Sequence, residues 1–373
     1  MAVRRRYLLV SLAAGCVSCC AQPAGAGESL DYDQLASAIT RALALRQGEH
    51  VLIRFDPSYF DSLVEPLRER IRASGAVNLP SLSAAAPLTG ELLSRADVLI
   101  RLPLRAGARP LDAADDRARI AWLDHGGSRR ELHFHWSEGT RRPDGLPADH
   151  PPEFDALYLA ALDIDYSALD AAQQRALDVM QLGTVRVQTP AGTDLMFRVG
   201  RRPFNRQNGD ASPARVRQAR VRVDREIELP AGVLRVAPVE DSVCGNISLP
   251  EARFGDTVAK GVVFEIDNGR ISRVRAKEGL PAVEAFLAAG GDAARRFREF
   301  GLGFNPRLTQ PPGTSLIPYF GYGAGVVRLS LGDSQELGGN VRGDFVRWFF
   351  FADATVHVDF RYLVRAGKLV VNQ

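Results

Sequence analysis

Cysteine is scarce in this 373-residue chain, with four in all. Cys16, Cys19 and Cys20 crowd the N-terminal segment, so only Cys244 remains in the body. That excludes an internal disulfide there and any paired-cysteine zinc site; Cys244 reads as a small packed residue. The sequence also lacks a glycine-rich phosphate loop, a G-x-S-x-G elbow and a helix carrying two histidines at metalloprotease spacing. No apolar run approaches the roughly 18 residues of a membrane-spanning helix. Nor is there a real excess of one charge. The 47 basic and 44 acidic residues differ by the three arginines at 4–6, which precede the first acid, Glu28. A nucleic-acid partner is therefore not expected. What is present, 46% hydrophobic and 24% charged residues, is ordinary globular composition.

Residues 1–26 read as an export signal. Arg4, Arg5 and Arg6 form a positive n-region, Tyr7 to Ala14 a short apolar core, and Ala24-Gly25-Ala26 a small-residue cleavage site. The arginines also suit a twin-arginine signal, and Leu12-Ala13-Ala14-Gly15-Cys16 suits a lipoprotein box acylated at Cys16. The expected location is the periplasm, with a membrane contact only through such a lipid.

Two domains are expected. Residues 28–182 alternate helical stripes (30–46, 63–71) with buried-strand runs at 51–55 and 96–102, the pattern of parallel β-α-β units in an α/β fold. A proline-rich polar loop spans 138–153, then a short strand at Asp155–Ala161 and a helix at Tyr166–Leu182. Residues 183–373 read as an α+β, mainly antiparallel domain. Strict alternation marks 184–188, 219–223 and 262–266, Asn268-Gly269 and Ala191-Gly192 supply turns, and one helix is expected at 280–300. Arg215, Arg217, Arg220 and Arg222 read as a solvated strand face. The aromatic run Trp348 to Phe351 reads as core. His133 and His135, two apart on a strand, share a face that two metal ligands could use, although a polar strand face is the plainer reading.

Four blocks in order resemble the aminopeptidase T family of metalloaminopeptidases. They are Thr189-Pro190-Ala191-Gly192-Thr193-Asp194-Leu195, Leu229 to Pro238, Arg298 to Pro306, and Val356-His357-Val358-Asp359-Phe360. The resemblance implies a hydrolase of peptides or small amides, a fold covering most of residues 30–373, and often a homodimer. It also implies a centre of two divalent ions held by two glutamates, two histidines and an aspartate. Here Glu299, His357 and Asp359 stand where ligands stand, but Val233 replaces a glutamate and Arg328 a histidine. A guanidinium only donates and is always charged. The expectation is at most one metal, zinc, manganese, cobalt or iron, on Glu299, His357 and Asp359. Arg328 would grip substrate charge as a catalytic residue. Two further readings follow from the same departures. One is a metal-free binding or scaffold protein cross-linked by Arg328. The other is a non-haem iron ring-cleaving dioxygenase, since a dihydroxypyridine dioxygenase looks related.

Overall fold

A computed structural model describes residues 30–105 and 111–371. The export signal expected at residues 1–26 lies outside the described residues. Asp31–Gln373 forms one contact unit.

The first sheet is parallel and six-stranded. Its path runs Val77–Asn78, His50–Phe55, Val98–Arg101, Arg130–Phe134, Glu226–Leu229, with Leu82–Ser83 also pairing the His50–Phe55 strand. Both faces are covered, so its central runs are apolar: Val51, Leu52, Val98, Leu99 and Ile100 are fully buried. Tyr32–Leu43 is helical because Leu35, Ile39 and Leu43 recur on one face and the Asp31 carboxylate accepts from Gln34 N at 2.9 Å. Asp112 caps Ala113–Asp124 in the same way.

Two antiparallel sheets follow. One orders Val346–Phe351, Val327–Gly332, Phe297–Gly303, Val233–Val236, Phe204–Arg206. The other has eight strands, with Thr184–Gln188 at its centre beside Asp194–Arg198 and Thr355–Val358. The α/β-then-antiparallel reading thus describes the architecture. Asn268 and Gly269, at φ 50° and 71°, form the expected hairpin turn between Thr257–Asp267 and Arg270–Arg275. Phe349, Phe350 and Phe351 are buried, as core residues should be.

Three local expectations are corrected. Asp155–Ala161 lies in a helix, Phe154–Leu162, because Phe154, Tyr158, Ala161 and Leu162 bury at helical spacing. The expected helix 280–300 stops at Ala289; Gly290 and Gly291 (φ +67°) break it, a short turn follows, and Phe297–Gly303 is a buried strand. The arginines at 215–222 do not lie on a strand. Pro213–Arg217 is a short helix capped by Ser212, and Arg222–Arg225 is a 3-10 turn.

One connection decides the site. After the first antiparallel strands, Glu226–Leu229 returns to extend the parallel sheet beside Arg130–Phe134. The chain then passes Gly232, where a Cβ would sit 2.6 Å from Asn305 Cβ and 2.9 Å from Tyr322 O. Only glycine permits that approach.

Candidate metal and anion site

Parallel sheets place ligands beyond the carboxyl ends of their strands. Here Arg54, Arg101, His133 and Glu228 stand in one row across four strands, in direct register near those ends. Two residues earlier, Leu52, Leu99, Glu131 and Glu226 form the row beneath. Period-two geometry puts both rows on one face.

The lower row is a closed ion network. Arg119 Nη1 lies 2.9 Å from Glu131 Oε2 and 3.1 Å from Glu226 Oε2, and Arg101 also donates to Glu131. Burial pushes the Glu131 carboxyl up, yet Arg101 and Arg119 hold it below its ordinary value. Burial wins at Glu226, whose pKa is raised.

Above it the imidazoles converge. The His133 and His135 ring centroids are 3.4 Å apart. Arg101 Nη2 lies 2.8 Å from His133 Nδ1. Burial, reinforced by Arg101, holds His133 well below its ordinary pKa, so the ring is neutral at neutral pH. His135 Nδ1 is 3.2 Å from Glu138 Oε1, and the second Glu138 oxygen accepts from Trp136 N at 3.1 Å. His135 Nε2 lies 4.0 Å from Glu228 Oε1, and Tyr322 OH donates to Glu228. Ligand atoms of His133, His135 and Glu138 all fall within 4.8 Å of one another, the one such group among the described residues. Two imidazoles and one carboxylate suit zinc, manganese, cobalt or iron. The neighbouring arginines do not forbid a cation, because Glu131 and Glu226 already match Arg101 and Arg119.

His133 and Glu138 border a cleft of about 1500 Å³. Arg54, Arg101, Arg105, Arg141 and Arg142 line it, with Leu104, Leu111 and Leu316. His150 also lines it. His150 bridges Asp155 (3.0 Å) and Thr140 (2.8 Å), and Trp136 Nε1 donates to Asp155 at 2.6 Å.

The residues singled out from the sequence lie elsewhere. Glu299 is fully buried in the five-stranded sheet, ringed by three guanidinium groups. Arg235 donates from Nε (3.2 Å) and Nη2 (3.0 Å), Arg328 from Nε (2.9 Å) and Nη2 (2.6 Å), and Arg298 from Nη1. Glu336 accepts from Arg235 and Arg298. Burial would raise the Glu299 carboxyl, but Arg235, Arg328 and Arg298 hold it far below its ordinary value; the same opposition brings Glu336 to about 2. No lone pair is left facing an open coordination position.

His357 is in the eight-stranded sheet, with Nδ1 2.8 Å from its neighbour Asp359 O. Asp359 sits in the following turn at φ 50°, its carboxylate beside Gly183. The structure brings Arg328 to Glu299, as a cross-link would require, but does not gather Glu299, His357 and Asp359 around one point. Arg328 is also held by Phe320 O (3.4 Å) and lies over the rings of Tyr322 and Trp348. A metal at Glu299 does not fit this arrangement. Glu138, Glu228 and Arg141 escaped the sequence reading. The spacing His133-x-His135-x-x-Glu138 was a usable signal for the first; nothing local marks the other two.

No protein-family model matches the chain, and no curated protein sequence does. Solved structures that share the fold include the following two. 2,5-Dihydroxypyridine dioxygenase from Pseudomonas putida KT2440 superposes with a TM-score of 0.63 at 15% identity, over 91% of this chain and 96% of that one. Wild-type AmpT, the aminopeptidase T of Thermus thermophilus, gives 0.59 at 17% identity, over 91% and 99%.

Proposed function

We propose that the chain is an exported, single-metal hydrolase of peptides or small amides, with the ion held by His133, His135 and Glu138. The observation that carries this reading is the convergence of those three side chains within 4.8 Å, two of them, His133 and Glu138, lining a cleft of about 1500 Å³. A divalent ion there would supply Lewis acidity and a water acidic enough to deprotonate near neutral pH. The protein's own groups then divide the work. Glu228, 4.0 Å from His135 and oriented by Tyr322, accepts a proton. Glu138 orients His135 while its second oxygen stays on Trp136 N. Export rests on the Arg4–Arg6 leader pattern.

The test is metal titration of the mature chain with zinc, manganese, cobalt and iron(II), followed by turnover of amino-acid amides. The expected result is one equivalent bound, with binding and turnover lost in His133→Ala and His135→Ala. A chain that binds no ion and hydrolyses no amide defeats the reading. The ligand set of two histidines and one carboxylate also suits iron oxygen chemistry. Oxygen uptake with a hydroxylated pyridine after anaerobic iron loading, without amide turnover, would select that second reading.

A further inference from the structure

Most charges in the cleft already have partners. Arg54 donates to Ala84 O at 2.7 Å and lies 3.8 Å from Asp115. Arg101 serves Glu131 and His133. Arg142 lies 3.5 Å from Asp144, which Arg347 approaches at 3.6 Å and the Arg253 backbone N–H reaches at 2.8 Å. Glu138 and Glu228 accept from Trp136 N and Tyr322 OH.

Arg141 differs. Among the described residues its guanidinium has no hydrogen-bond acceptor, and its Nε is buried without one. It is nonetheless held firmly. The guanidinium carbon stands 4.6 Å from the Phe320 ring centroid and 5.9 Å from that of Trp348. The Arg141 backbone is pinned by a reciprocal pair with Ile317, at 3.0 and 2.8 Å. Burial lowers its pKa to about 10, so it stays charged at neutral pH. A half-buried cation without a protein acceptor gives up part of its hydration at some cost. Its cost is recovered when an anion enters the cleft, because two parallel charge-assisted bonds then form to the guanidinium fork. One fork matches one carboxylate in charge and shape, whereas a phosphate carries more charge and more acceptor oxygens.

We infer that Arg141 binds a substrate carboxylate, so that the cleft takes N-acyl amino acids or dipeptides through their free C-terminus. The carboxylate contact stands on Arg141 alone. The placement of the scissile amide over His133, His135 and Glu138 rests on the metal-hydrolase reading above.

The experiment uses N-acetyl-L-alanine and its carboxamide as probes, with binding measured by calorimetry on the zinc-free mature chain. The acid should bind at least about tenfold more tightly than the amide, the size expected of charge-assisted bonds. Arg141→Met should abolish that preference and Arg141→Lys should retain part of it. A thermal melt checks folding; if Arg141→Met fails to fold, Arg141→Lys carries the test through its reduced preference. Equal binding of acid and amide, binding of neither, an unchanged preference in the folded variants, or inorganic phosphate binding more tightly than the acid would each overturn the inference. A parallel zinc titration separates the two claims. Arg141→Met should still bind zinc, and His135→Gln should lose zinc yet keep the acid preference. A wild-type chain that prefers the acid but takes no zinc would defeat the metal site and leave the carboxylate site standing.

Discussion

Glu299 and Glu138 are both carboxylates in heavily charged surroundings, and they have opposite fates. Glu299 is sealed within the five-stranded sheet, and Arg235, Arg298 and Arg328 consume its oxygens. Glu138 stands at the cleft wall beside two crowded imidazoles, with one oxygen toward His135 and one on a backbone N–H. The difference lies in the partners rather than in the carboxylate. A guanidinium fills a carboxylate's lone pairs and offers none back, whereas an imidazole brings a lone pair of its own. The first arrangement is a structural cross-link; the second can recruit an ion.

The same substitution at the two places should therefore separate metal from stability. Glu138→Gln should weaken zinc binding by more than about a hundredfold, since even outer-shell losses cost 10–100-fold, with little change in the urea midpoint. Glu299→Gln should leave zinc binding unchanged and lower the unfolding free energy by about 3–5 kcal/mol, because it strands buried guanidinium charge. If the two phenotypes exchange, the comparison is inverted and the ion belongs at Glu299.

The sealed cluster should also make stability depend on acid. The Glu299 and Glu336 carboxyls are depressed in the folded state by their arginines against the opposing push of burial, Glu336 to about 2 from an ordinary 4.5. A depressed carboxyl gives stability that is complete above its unfolded pKa and lost as pH falls through the folded one. Stability should therefore decline from about pH 4.5 toward pH 2. Glu336→Gln should flatten that slope in equilibrium unfolding followed by circular dichroism. A slope identical in wild type and variant would remove Glu336 from the network's energetics.

How much of this could be read from the chain depends on range. The buried runs at 51–55 and 96–102, the alternation at 184–188 and the Asn268-Gly269 turn are local patterns, and each forms the expected element, the second trimmed to Val98–Arg101. Asp155–Ala161 reads as a strand yet lies in the helix Phe154–Leu162, because a short apolar run fits strand and helix alike until its burial partners are known. The site itself is set by long-range register. Glu228 meets His133 only because a strand nearly a hundred residues later rejoins the parallel sheet. Arg235 and Arg328 reach Glu299 from separate neighbouring strands, a pairing that no spacing in the sequence announces. The histidine at 357 fits the block that resembles a known family, whereas the pair at 133 and 135 fits only a strand geometry, and it is the geometry that converges.

The smallest effect tests how completely the sealed cluster is closed. Arg328→His restores an imidazole where the family resemblance implies one. It removes the bonds from Arg328 to Glu299 Oε1, at 2.9 and 2.6 Å, together with its contacts to Phe320 O and the Tyr322 and Trp348 rings. Arg235 still donates to both oxygens and Arg298 to the second. The variant should therefore gain no ion at this cluster, and its stability should fall by only about 1–3 kcal/mol, the cost of one lost charged partner. Elemental analysis should show the same metal content per chain as the wild type. One additional equivalent would mean that Arg328 alone keeps the metal out, and that the remaining arginines yield their carboxylate when an ion competes for it.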